Sequence, residues 1–195
     1  MSATPAALAI GLQEWAVACR SLGEGRLTLV VRKGGIHERQ GGLFALEHER
    51  FALLPTHLHQ DAARLLPAYA GDYLAGVAAD PQPGRHVVKL WAEAARIWKV
   101  TDPGRLAALG DELMWTQAEL ASRFRYRDQP WLFVVALRVQ RLPAPLSIPD
   151  HPSYAGCRSW IPLRDVIPLV GSVPVLDDPG FTARLARIAA TLDGD

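Results

Sequence analysis

The chain has 195 residues, enough for one ordinary domain. About half of them (49%) are apolar, which supports a core without disulfide staples; the two cysteines, Cys19 and Cys157, form no disulfide framework. A formal net charge of +1 excludes a strongly basic coat, and no apolar run reaches the roughly 20 residues of a membrane-spanning helix.

Met1 to Ile10 carries no basic residue ahead of its apolar ones, unlike a secretory leader, and the lack of a disulfide framework points to a reducing cytoplasm. Leu8 to Leu22 is predicted helical, ended by Gly23 and Gly25. Leu27 to Lys33 is predicted as a strand broken by Gly34 and Gly35. Leu43 to Thr56 reads as two short strands and His59 to Ala79 as a helix, before the loop Asp80-Pro81-Gln82-Pro83-Gly84. Val87 to Val100 fits a helical face through Lys89, Glu93 and Arg96. It fits a strand face through Val88, Leu90, Ala92, Ala94, Trp98 and Val100; Asp102-Pro103, which opens a new helix directly after it, favours the strand.

Two short helices follow, Pro103 to Leu113 and Thr116 to Phe124; Thr116 and Glu119 have capping-box spacing. Trp131 to Leu142 begins with seven apolar residues, which predicts a central strand covered on both faces. Leu142 to Pro152 reads as a Pro-rich connector, Trp160 to Val170 as a last strand interrupted by Pro162 and Pro168, and Phe181 to Leu192 as an amphipathic helix. The expected fold class is α+β: one domain over 1–178 and a C-terminal helix over 179–195 packed on it. Its sheet is expected to be small and mostly antiparallel, with barrel-like closure one of its forms and helices on its flanks.

Four segments carry more cations, glycines and polar groups than packing requires. Arg32 and Lys33 end a buried strand, and Gly34 and Gly35 let the backbone turn tightly, where an anion could approach. His57, His59 and Gln60 stand at a strand end; an x-spaced His pair does not make a metal site, and no cofactor or metal is expected. Trp115 to Arg127 interleaves Arg123, Arg125 and Arg127 with Phe124 and Tyr126, and Arg138 and Arg141 lie further on; phosphate contact with base stacking uses such residues, as does a helix end. Around Cys157, Arg158 could lower the thiol pKa, but no His base is adjacent in sequence.

Taken together these segments resemble an uncharacterised bacterial family, domain of unknown function 1802. The resemblance is carried by Glu14-Trp15-Ala16-Val17, Arg32-Lys33-Gly34-Gly35-Ile36, Phe51 with Leu54-Pro55-Thr56 and His59-Gln60, Trp115-Thr116, Arg123-Phe124, Leu137-Arg138-Val139, and Tyr154 with Gly156-Cys157-Arg158-Ser159-Trp160. It covers about Leu12 to Leu163 and leaves the tail from Pro179 outside. It implies a link to restriction or defence systems, since members occur with restriction-type nuclease domains. This chain lacks the acid-x-Lys half of a nuclease signature, because none of Lys33, Lys89 and Lys99 follows an acid by two residues. The order helix, Gly turn, strand is similar, by analogy alone, to PUA-like domains that bind RNA.

Three functions stay open. The first is a module binding nucleic acid or a phosphate-bearing ligand through Arg32, Lys33, Gly34, Gly35, His59, Gln60, Trp115, Arg123, Tyr126, Arg138 and Arg158. The second is an enzyme using His59 with Arg32 or Arg158. The third is a protein–protein adaptor.

Overall fold

The computed structural model describes residues 5–33, 48–78, 84–155 and 159–193. The readings placed on Gly34, Gly35, Leu43 to Glu47, Cys157 and Arg158, and most of the loop before Gly84, lie outside these residues.

A seven-stranded mixed sheet organises the chain. Its strands are β1 (Ala7–Trp15), β2 (Leu29–Arg32), β3 (Arg50–Thr56), β4 (Arg85–Val100), β5 (Leu132–Pro149), β6 (Trp160–Pro168) and β7 (Val173–Pro174). Along the hydrogen-bonded path the order is β2-β5-β4-β3-β1-β6, and β7 pairs with β5. Among the described residues β1 and β3 pair in parallel, and the other pairs are antiparallel. The path has two ends, so the sheet is not closed into a barrel, which corrects that expectation. The helices are α1 (Ala16–Gly23), α2 (Ala70–Ala78), α3 (Pro103–Ala108), α4 (Gln117–Arg125) and α5 (Asp178–Asp193). None of the described helices is long and apolar enough to cross a membrane.

Strand alternation divides the core in two. In β3, Phe51 and Leu53 join the main cluster, with α1, α4 and α5; Ala52 and Leu54 join a second cluster with Tyr154, Ile161 and Ile167. Successive residues of β3 therefore pack against opposite covered faces. In β5, Leu132 to Leu137 are all buried between β2 and β4.

Three local expectations are corrected. Ala7 to Trp15 is a strand, not the first half of a helix. Gly11 sits where a Cβ would lie 3.4 Å from Leu163 and 3.6 Å from Leu54, so close strand packing outweighs the helical propensity of the flanking alanines. Of the described residues in the predicted helix His59 to Ala79, Ala70–Ala78 are α-helical; Pro67 starts a separate short turn before them. The Pro-rich segment after Leu142 continues β5 to Pro149. The β4–β5 register shifts between Val88 and Leu90, where Leu90 faces Arg141 but Val88 faces Leu146. Pro143 and Pro145 fall inside that shift, where no ladder N–H is required.

Candidate functional site

The end of β2 and the β1–α1 junction bring several of the singled-out residues together. Arg32 leaves β2 and spans the gap between the sheet's two ends. Its Nη1 donates to Glu14 Oε2 at 2.6 Å and to the Gln13 carbonyl at 3.2 Å, and its Nη2 donates to Ser159 Oγ at 2.6 Å. Glu14 is 7% exposed, so the pair is largely withdrawn from water. The sequence places Arg32 beyond the core; the structure embeds it.

Lys33 is equally engaged. Its ammonium donates to the carbonyls of Phe124 (2.7 Å), Trp131 (2.8 Å) and Gln129, tying the end of α4 to the start of β5. Burial pushes it below the ordinary lysine pKa. The order β2-β5-β4 then sets two lysines about one ring, since Arg32 and Lys99 both register with Phe133. Lys33 Nζ lies 4.9 Å and Lys99 Nζ 4.7 Å from the Trp131 ring centre. Neither has a carboxylate partner among the described residues. Arg125 and Tyr126, at the end of α4, are exposed beside this surface.

On the α1 side, Trp115 is buried, edge-on to Trp15 at 4.8 Å. The Arg123 guanidinium lies 3.7 Å from the Trp115 ring centre and is fixed by Glu119 at 2.6 Å. Gln60 Oε1 accepts the Val17 N–H at 3.1 Å and so caps α1, which has no side-chain cap of its own. His59 is exposed, with a φ of 61°. Arg138 stands apart: it pairs with Asp178 and lies over Phe181, 4.4 Å from the ring centre, anchoring α5. Arg32, Lys33, Gln60, Trp115, Arg123 and Tyr126 are thus linked through one corner, and Arg138 is not. Among the described residues no three His, Cys, Asp or Glu side chains gather as a metal centre.

Sequence reasoning missed Trp131 and Lys99, which meet only through the strand order, and gave Glu14 and Ser159 no role beyond the resemblance. It also missed a cleft of about 370 Å³ between α1, α2 and the β3–β4–β5 face. The α1 positions Ala16, Cys19, Arg20 and Gly23 recur at helical spacing along it, and Arg141, Leu142, Pro143 and Pro145 line it from β5. Burial first, then the Glu14 charge, pushes the Cys19 thiol well above its ordinary pKa, so it stands in the cleft wall as a thiol rather than a nucleophilic thiolate.

The fold and this corner go with a family whose model, domain of unknown function (DUF1802), matches residues 11–187. The chain belongs to that family. The match extends through most of α5, which corrects the expectation that the C-terminal helix lies outside it. No curated protein matches the chain. Among solved structures, the chain is similar to ASCH from Zymomonas mobilis, with 15% identity, 91% of this chain and 93% of that one covered, and a TM-score of 0.40. A mutant of the same protein gives 14% identity, coverage of 92% and 94%, and a TM-score of 0.41.

Proposed function

We propose that the chain is a nucleic-acid-binding module that takes a single strand on the Trp131 surface. The observation that carries this reading is one tryptophan ring flanked by Lys33 and Lys99, neither compensated by a carboxylate among the described residues. A base stacks on Trp131 or on Tyr126, which is 55% exposed; the phosphates run past Lys99 and Arg125. Lys33 contributes its charge to the field, because its three hydrogen bonds are already made. Arg32 and Arg123 act as scaffold, holding the corner in place. The family resemblance supports an accessory role in defence or nucleic-acid metabolism, in the cytoplasm.

The enzyme alternative has less support, since Arg32 is engaged by Glu14 and Ser159 and His59 is exposed. The test is a titration of wild type and a Lys99→Glu/Arg125→Glu variant against single- and double-stranded DNA and RNA at several salt concentrations. Wild type is expected to prefer single strands, and the variant to lose about 1.5 from the log–log salt slope, at 0.7 to 0.9 per phosphate contact. Absence of wild-type binding at low salt rejects the reading.

A further inference from the structure

The cleft between α1, α2 and the sheet is lined by more cations than acids. Three cations line it: Arg20, Lys89 and Arg141. Arg20 is compensated by Glu24 at 2.8 Å and Asp72 at 3.6 Å. Among the described residues Arg141 meets the Gly23 carbonyl, at 2.5 Å, a neutral partner that fixes its guanidinium over the end of α1. Lys89 has no hydrogen bond or ion pair among the described residues. Two positive charges therefore line the cleft with no carboxylate partner among the described residues. They come from adjacent strands, since Arg141 pairs in register with Leu90, the residue after Lys89.

Glu24, the partner of Arg20, and His57 also line the cleft, and the rest of its wall is largely apolar, with Leu53, Pro55, Val87, Leu142, Pro143 and Pro145 among it. The register shift in β4–β5 is what builds this wall: it turns Lys89 and Leu90 both toward the cleft and sets the two prolines opposite α2. A volume of about 370 Å³ is that of a small-ligand pocket rather than a gap in packing.

We infer that this cleft is a second binding site, separate from the Trp131 surface, for a phosphate monoester carrying an apolar or flat body of nucleoside size. The dianionic phosphate sits between Lys89 and Arg141, where two cations match two charges; a carboxylate would neutralise only one. The body lies against the prolines and Leu142. A nucleotide and an alkyl phosphate share this chemistry, and the test separates them.

Isothermal titration of the full chain uses adenosine 5′-monophosphate and hexyl phosphate, with adenosine and inorganic phosphate as the two halves. At least one monoester is expected to bind with one site per chain, and each half at least tenfold more weakly than the whole. Binding by adenosine 5′-monophosphate alone marks the body as a nucleoside, and by hexyl phosphate alone as an alkyl chain. Lys89→Glu changes an exposed side chain that has no partner among the described residues; it should weaken binding at least tenfold while leaving the melting temperature and single-strand binding unchanged. Ala75→Phe, which fills the cleft without touching a charge, should block binding as well. Failure of both monoesters to bind overturns the inference, and so does an affinity unchanged by Lys89→Glu.

Discussion

Arg32 and Glu14 belong to strands separated along the hydrogen-bonded path of the sheet, with β5, β4 and β3 between them, yet their side chains meet at 2.6 Å. The sheet curls enough for one guanidinium to bridge its ends where no backbone ladder does. Removing Arg32 leaves a buried carboxylate uncompensated, which costs about 3 to 5 kcal/mol. Arg32→Ala should lose that much in urea denaturation, and Arg32→Ala with Glu14→Gln should recover a good part of it. A loss under about 1 kcal/mol for the single variant would show that the bridge is dispensable.

Thr28 makes the opposite prediction. Its side chain is 3% exposed and its Oγ1 has no hydrogen-bond partner among the described residues. A buried hydroxyl without a partner costs on the order of 1 kcal/mol, and valine has nearly the same shape. Thr28→Val should raise the melting temperature; a fall would mean that the hydroxyl is bonded.

The C-terminal helix should prove integral to the fold. Ile188 is 1% exposed in the main core, while Arg184 donates to Glu112 and to the carbonyls of Gly25 and Arg26. Ile188→Ala should cost about 2 to 4 kcal/mol in chemical denaturation. A loss of a few tenths would make α5 an appendage.

At the far end of β4, His86 Nε2 lies 2.8 Å from Asp150 Oδ1, and that hydrogen bond is the largest cause holding the Asp150 carboxyl below its ordinary pKa. A depressed carboxylate stabilises the fold above its unfolded pKa, and the contribution is lost as pH falls through the folded value. Carboxyl-detected NMR titration should find Asp150 below the usual aspartate range, and His86→Ala should move it upward. An unmoved titration would assign the shift elsewhere.

Much of the architecture was legible where one segment carries its own signal. The apolar run from Trp131 marked β5 as central, and Thr116 caps α4 by accepting the Glu119 N–H at 3.3 Å. Leu8 to Trp15 misled because alanine and leucine favour a helix, while the groups that hold it extended, Leu54 and Leu163, lie far along the chain. The corner was visible as separate blocks but not as a structure: Arg32 reaches Ser159 across 127 positions, and no local pattern encodes that contact. The cleft was silent because its cations are spaced singly among apolar residues on different elements. Each looks like an ordinary surface residue until the register shift gathers them.

The cap that Gln60 places on Val17 has a consequence for the order of assembly. Helix α1 has eight residues, no side-chain cap from its N-cap residue Trp15, and a first turn completed by a side chain 43 positions away, beyond β3. So short a helix is marginal in isolation. It should therefore form late, after β3 has taken its place beside β1, and a peptide spanning 13–25 should be disordered in water. The nascent chain must emerge beyond Gln60 before its first helix can close, so the N-terminal segment waits on the middle of the molecule.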